Sequence, residues 1–356
     1  MSQPPLTWET LDWSSLDRLR DTFLAGKPTG ASYWTSRSDL ENYEFTFARR
    51  IAWKWGAVLR ELKLRGWTPP RGPLLDWGCG SGIASRCVVE FFGAKAFSCL
   101  RVFDRSSLAM EFAIEKSREA LPSLRAEIVR TNTLPIMAGR DVPIAPRRAE
   151  TARPTRENIG TLIISHVVNE LDEAGGRALR EVIDRADAVL WLEPGTYADS
   201  RWLIAMREAL CETFHVIAPC THQCGCGLRT PENERHWCHH FASPPAGIMG
   251  DSNWVRFAQR AGIDLRSLPY SFLVLERKGL RDPVPGLLSD GWSRIIGEPR
   301  FYKGYAKIFS CQADGTRDLT LQKRDAPEVS KAIRDRSAAP YYRWRLSADR
   351  IVDVTS

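Results

Sequence analysis

The nine residues LLDWGCGSG, positions 74–82, constrain this chain more than any other stretch. An apolar run that ends on an acidic side chain and then places glycines at alternate positions reads as a strand, a turn stripped of side chains, and a helix start. The pattern then repeats without the glycines. SGIASRCVVEFFG reads as a helix, SCLRVFD as a strand, SSLAMEFAIEKSREAL as a helix and AEIVRT as a third strand. TLIISHVV is a fourth strand, EAGGRALREVIDRA a helix, and AVLWLEPG a fifth strand, followed by the helical SRWLIAMREALCETF. Strands that alternate with helices demand a parallel sheet with helices on both faces, so an α/β, doubly wound core is expected. The proline- and arginine-rich PIMAGRDVPIAPRRAETARPTREN between the third and fourth strands reads as an irregular excursion.

Ahead of this core, LDRLRDTFL and DLENYEFTFARRIAWKWGAVLRELKLRG carry apolar and aromatic side chains at three- and four-residue spacing, which predicts helices closed off by WTPPRGP. Beyond it lie a helix near SNWVRFAQRAG and the strands YSFLVLERK and YAKIFSCQ, with DLTLQKR as a further one. With 43% apolar residues the 356-residue chain can build a substantial core, and no apolar run is long enough to span a bilayer. The N-terminus has acidic residues where a signal peptide needs a basic start, so an intracellular, cytoplasmic location is expected, or a mitochondrial matrix if a targeting peptide is missing. Nine cysteines in such a compartment favour metal binding over disulfides. The net charge of +7 is compatible with nucleic acid, and its local concentrations are RDRSAAPYYRWRLSADR and GEPRFYKGYAK.

The glycine loop departs from the G-x-G-x-x-G fingerprint that seats a pyrophosphate. Gly78, Gly80 and Gly82 after Asp76 instead resemble motif I of S-adenosylmethionine-dependent methyltransferases, whose cofactor has no phosphate to cradle. The resemblance implies that Asp76 organises the methionine end of the cofactor. Asp104, at the end of the next strand, is placed to accept both ribose hydroxyls. Catalysis is less legible. ISHVVNEL stands where amino-group methyltransferases carry Asn or Asp followed by Pro-Pro-aromatic; His166, Asn169 and Glu170 are candidate substrate contacts, with a role in lining the cofactor pocket as the alternative. The Pro219–Cys220 pair resembles the Pro-Cys of cytosine-C5 RNA methyltransferases, but it lies beyond the fifth strand, where that nucleophile is not found.

Residues 218–241, APCTHQCGCGLRTPENERHWCHHF, gather four cysteines and four histidines. Neither C-x2-C pair of a zinc ribbon is present, although zinc held by thiolates with His222, His236, His239 or His240 stays open. An iron–sulfur cluster tolerates the irregular spacing. Cys79, Cys87, Cys99 and Cys211 stand in apolar strand or helix contexts and read as core residues.

The order of glycine loop, LEPG, APC-x5-C, WCHHF and RIIGEPRFYKGYAKIFSCQADG is similar to the methyltransferase-like family associated with the mitochondrial small ribosomal subunit and its bacterial relatives. The resemblance covers the chain from about Pro73 onward. It implies a Rossmann-like class I methyltransferase fold carrying a four-iron four-sulfur (4Fe-4S) cluster, and a role in small-subunit assembly. Carried over by motif, the cluster ligands fall on Cys220, Cys226, Cys238 and Cys311, with Cys224 as the alternate to Cys226. The implied organisation is an N-terminal helical region over 1–70, an S-adenosylmethionine-binding core over 71–217, a cluster segment over 218–245, and C-terminal strands completing the core plus a basic tail over 246–356. The expected function is an assembly or translation factor that binds rRNA of the small ribosomal subunit, a monomer off the ribosome and without membrane contact. Arg294, Arg300, Lys303 and Lys307 are the candidate RNA contacts. The alternatives are an active rRNA methyltransferase and a small-molecule methyltransferase with a structural zinc site.

Overall fold

The computed structural model describes residues 6–25, 33–129, 158–335 and 339–355; all but the last residue of the proline- and arginine-rich excursion lies outside them. The N-terminal helices are α1 (Trp13–Ala25), α2 (Arg37–Phe45) and α3 (Phe47–Arg65). The sequence reads the last two as one helix. The chain breaks at Thr46, whose hydroxyl bonds back to the Asn42 carbonyl, and α2 begins on a capping box between Ser36 and Asp39. The alternating region follows as β1 (Leu74–Trp77), α4 (Ile83–Phe92), β2 (Leu100–Phe103), α5 (Ser107–Ala120), β3 (Ala126–Ile128), β4 (Ile159–Ser165), α6 (Glu173–Ile183), β5 (Ala186–Pro194) and α7 (Tyr197–Leu210). Then come β6 (Phe214–Ala218), β7 (His240–Ala242), α8 (Ser252–Ala261) and β8 (Leu268–Arg277).

The chain divides into two units, Met1–Ala52 with Pro69–Val189 and Gly250–Ile263, and Trp53–Thr68 with Leu190–Met249 and Asp264–Ser356. In the first, strands run in the order β3-β2-β1-β4, followed by the first half of β5. The pairs β1–β2, β1–β4 and β2–β3 are all parallel. Chain order reverses between β1 and β4, the kind of switch point at which open α/β sheets bind ligands beyond their strand ends. Burial on both faces explains the unbroken apolar runs: every residue of β1 is buried, as are the first six of β4.

The second unit takes the other half of β5 and adds β8 and β6 beside it, with β6 and β7 both antiparallel to β8. The expected α/β fold is thus observed, with a mixed sheet. The cysteine-rich residues 219–239 form the connection from β6 to β7.

The last strands build a separate sheet that sequence patterning does not announce. They are β9 (Ser293–Ile295), β10 (Arg300–Tyr302), β11 (Tyr305–Gln312), β12 (Gly315–Gln322), β13 (Tyr341–Ser347) and β14 (Arg350–Thr355), with α9 (Pro327–Arg334) between β12 and β13. Their order is β10-β11-β12-β14-β13-β9, and a further β9–β11 pairing closes the ring into a barrel. The β12–β14 pair is parallel and the others are antiparallel. Ala306, Ile308, Leu319, Leu321 and Ile351 fill it, and Ile333 of α9 joins them. The segments read as YAKIFSCQ, DLTLQKR and the basic tail all belong to this barrel.

Candidate cofactor and metal-cluster sites

The glycine loop leaves β1 and bonds at once to the end of β2: the Gly78 and Cys79 amides both donate to the Phe103 carbonyl. Gly78 and Gly82 have φ of +77° and +74°, where a side chain is strained. Added Cβ atoms would also collide, at 2.8 Å from Val167 for Gly78 and 2.9 Å from Ala113 for Gly82. The loop is therefore sandwiched between the turn after β4 and helix α5.

Two carboxylates face this loop. Asp104 accepts from the Gly80 amide at 2.9 Å and from the Ser106 amide at 2.9 Å, one bond per oxygen, which leaves lone pairs for a diol. Asp76 is 1% exposed, and neither of its oxygens makes a hydrogen bond of good geometry, although the Ser85 hydroxyl and amide approach it. Burial, opposed in part by the nearby Ser85, pushes its pKa up to about 7. A buried carboxylate so weakly donated to is a costly feature that a bound cation or donor would relieve.

The turn after β4 places the three residues read as catalytic candidates. His166 has φ +57° and its Nδ1 lies 3.4 Å from the Ser165 hydroxyl. Asn169 and Glu170 sit in one 3-10 turn, Val168–Glu170. Burial, then the nearby Asp104, raises Glu170 to about 7, and the Tyr33 hydroxyl donates to it at 3.3 Å. Glu170 thus faces Asp104. Sequence reasoning missed the aromatic wall: Tyr33 packs on Trp34 with centroids 4.7 Å apart, and Trp34 reaches the space above Gly80. The available signal was an adjacent aromatic pair just ahead of the Ser36 cap.

One prediction arises here. A carboxyl whose folded pKa is raised contributes stability that is complete below about pH 4 and is lost as pH rises through about 7. A rise from the ordinary 3.8 to about 7 corresponds to about 4 kcal/mol. Asp76→Asn keeps the shape without the charge. It is therefore expected to raise the ligand-free melting temperature at pH 8, to flatten its decline between pH 5 and 8, and to weaken the S-adenosylmethionine binding proposed below at least about ten-fold. Thermal melts across pH and calorimetric titration check both halves.

In the second unit the cysteine connection is gripped by α7. Arg201 donates to the Leu228 carbonyl at 2.6 Å, Arg207 to the Cys224 carbonyl at 2.6 Å, and Glu208 accepts from the Cys226 amide at 3.1 Å. Gly227 lies against the β11–β12 hairpin so closely that a Cβ would meet Gly315 at 2.8 Å. That hairpin carries Cys311, which pairs with Thr316 across it.

The grip converges four thiols. Cys226 and Cys238 pack against buried Cys311 together with Leu228, Ile204 and Ile296. Burial raises the Cys311 thiol well above its ordinary range, and the thiols of Cys220, Cys238 and Cys226 push it further. Cys238 is raised by burial and by Cys220 and Cys226, and Cys226 reaches about 11 through burial and Cys220. Cys224 points to solvent, so Cys226 is the one of that pair facing the others. His222 Nε2 lies 3.6 Å from the Cys311 sulfur and His240 Nε2 3.7 Å from that of Cys238. His236 stacks on Phe309, and His239 on Trp237. Among the described residues no group of three or more His, Cys, Asp or Glu is placed so as to hold a metal ion. All nine cysteines are free thiols, and those read as core residues are buried or half-buried.

The RNA candidates separate. Arg294 is 3% exposed and bonds to both oxygens of Glu61, so it is an interior residue and not an RNA contact; an anion 233 residues away in sequence holds it there. Arg300 is exposed and doubly bonded to Asp318, at 2.6 and 2.7 Å. Lys303 is exposed in the β10–β11 turn and Lys307 half-buried on β11.

Among the described residues no helix is long and apolar enough to cross a membrane. No curated protein sequence matches the chain. Solved structures similar to it include a methyltransferase from Geobacter sulfurreducens with S-adenosyl-L-homocysteine, at 13% identity and TM-score 0.35, covering 63% of this chain and 90% of that one. Another is from Thiobacillus denitrificans, also with S-adenosyl-L-homocysteine, at 12% identity and TM-score 0.35, covering 63% and 91%. A putative RNA methyltransferase from Pyrococcus horikoshii matches at 10% identity and TM-score 0.34, covering 62% and 84%. Residues 47–339, which hold the glycine loop and all four facing cysteines, match the family model described as mitochondrial small ribosomal subunit Rsm22, and the chain belongs to that family.

Proposed function

We propose that this protein is a factor of the small ribosomal subunit that binds S-adenosylmethionine at the glycine loop and holds a 4Fe-4S cluster through Cys220, Cys226, Cys238 and Cys311. The observation that carries the reading is the convergence of these four thiols, 91 residues apart at the extremes, in a chain of the Rsm22 family. The residues present fit the cluster: Cys226, Cys238 and Cys311 pack with Leu228, Ile204 and Ile296, and Cys220 is near enough to raise all three thiols. When bound, the cluster supplies metal–thiolate ties between the β6 end, the loop, the start of β7 and β11.

S-adenosylmethionine finds the same kind of fit. The buried, weakly donated carboxylate of Asp76 suits the methionine ammonium, Asp104 the ribose hydroxyls, and the glycines clear the approach. Tyr33 and Trp34 shield the loop from water. When bound, the cofactor offers a methyl group; the post-β4 turn, packed on Gly78, lines its pocket. The protein works in the compartment of the ribosome it serves, a bacterial cytoplasm or a mitochondrial matrix, as a monomer before it docks.

Sedimentation tests the reading. Anaerobically purified protein is expected to pellet with isolated small subunits and not with large ones, and to release as salt is raised. Equal pelleting with both subunits, or with neither, overturns it.

A further inference from the structure

The C-terminal barrel has a recognisable order. Taking β9 with β10 as the first strand, followed by β11, β12, β13 and β14, the ring reads 1-2-3-5-4-1, the third and fifth strands are parallel, and a helix lies between the third and fourth. That is the arrangement of the OB-fold, whose second and third strands and first and last hairpin loops grip oligonucleotides or oligosaccharides.

Strand alternation shows what this face presents. Ala306, Ile308, Leu319 and Leu321 point inward, so Tyr305, Lys307, Thr320 and Gln322 point out, joined by Arg300 and Tyr302, which pair with Lys307 and Tyr305. At one end the face is already used: Phe309 packs on His236 and Cys311 lies in the thiol pocket. The other end, around the Lys303–Gly304 turn, is open. Tyr302 and Tyr305 stack there at 4.8 Å with rings 10° apart, and Tyr302 is 47% exposed. The Lys323 amide bonds to the Gly304 carbonyl, bringing a third lysine to the turn. Among the described residues Lys303, Lys307 and Lys323 make no ion pair, whereas Arg350 and Arg300 are each committed to an aspartate.

We propose that this open end of the β10–β11–β12 face binds single-stranded RNA, a base stacking on the Tyr302–Tyr305 pair and phosphates meeting Lys303, Lys307 and Lys323. Charge complementarity selects RNA over a sugar chain. Residues 293–355 contain 13 basic and 8 acidic side chains, a net +5 of the chain's +7. An exposed aromatic stack among cations is the platform that single strands use, while duplex RNA offers no base face to it. The proposal rests on the small-subunit reading above and names the surface that would touch rRNA.

Fluorescence anisotropy with the full chain tests it, using a labelled oligouridylate of about twelve nucleotides and an RNA duplex of similar length. The single strand is expected to bind at least about ten-fold more tightly than the duplex, and Tyr302→Ala with Tyr305→Ala to lose about ten-fold or more. Lys303→Ala and Lys307→Ala should each lower the salt slope by roughly 0.7. Unchanged melting temperatures show that the variants fold. Equal affinity for duplex, no binding by the wild type, or tyrosine variants that bind like it overturn the proposal. The small-subunit sedimentation assay is run on the same samples. Wild type that pellets with small subunits while the oligonucleotide arms fail sinks the barrel assignment alone; loss of pelleting by the wild type sinks the parent reading.

Discussion

Cys311→Ser is expected to empty the proposed iron–sulfur site and to cost the second unit more than about 5 kcal/mol, a loss of the size seen when a structural metal or comparable feature goes. Cys311 is the one proposed ligand outside the 218–245 segment, so the proposed cluster would tie the barrel to that segment through it. Serine is nearly isosteric but offers a hard, protonated oxygen where a soft thiolate is needed. In the absence of iron the same substitution merely buries a hydroxyl, at about 1–3 kcal/mol. The difference between the two costs isolates the cluster. Anaerobic urea unfolding of wild type and variant, each with and without an iron chelator, measures it, and elemental analysis counts iron. Cys224→Ser provides the contrast: the side chain points to solvent, and its loss is expected to stay within about 0.5 kcal/mol with iron retained. Iron retained in Cys311→Ser, or a cost that is the same with and without chelator, removes Cys311 from the ligand set.

That ligand shows where sequence reading succeeds and where it stops. Asp76, Gly78, Gly80 and Gly82 are legible because a strand, a turn and a helix start are local events written in consecutive residues. Cys311 is 73 residues beyond Cys238, and no spacing rule connects them; only the family resemblance pointed to it. The barrel escaped for a different reason. Its first strand is split into two three-residue pieces, β9 and β10, around Gly297 and Pro299, and its last two strands alternate charges with apolar residues. YYRWRLS and RIVDVT therefore read as a basic tail, although Tyr342 and Ile351 are buried. Closure depends on β9 meeting β13, a pairing nearly fifty residues apart in sequence that no window sees. Arg294 is the sharpest case. A lone arginine near a lysine-rich turn looks like a surface group, and what buries it is a glutamate on α3.

Glu61→Gln is therefore expected to be the most damaging single change that touches no proposed ligand. Glu61 bonds to Arg65 at 2.8 Å and to Arg294 at 2.6 and 2.9 Å, and all three side chains are buried. Burial alone would push the Glu61 pKa up, but the two guanidiniums overcome it and hold the carboxyl below its usual range. Removing the anion leaves two buried cations facing each other, at a cost of about 3–5 kcal/mol. The sign in pH follows: the carboxylate's contribution is present above about pH 4.3 and is lost as pH falls through its lowered folded pKa, so acid should partly reproduce the variant. A triple change of Glu61, Arg65 and Arg294 to apolar residues of similar size should recover much of the loss, as buried ion networks often allow. What it should not recover is iron. Arg65 also donates to the carbonyls of Ile217 at 2.5 Å, Pro219 at 2.9 Å and Cys220 at 3.0 Å, where the strand ends and these oxygens leave the ladder. An apolar side chain cannot satisfy them, so the backbone carrying Cys220 would lose its anchor. Urea unfolding and iron content of the single and triple variants separate the two roles; a triple variant that regains stability and full iron shows that the network holds the fold and not the ligand.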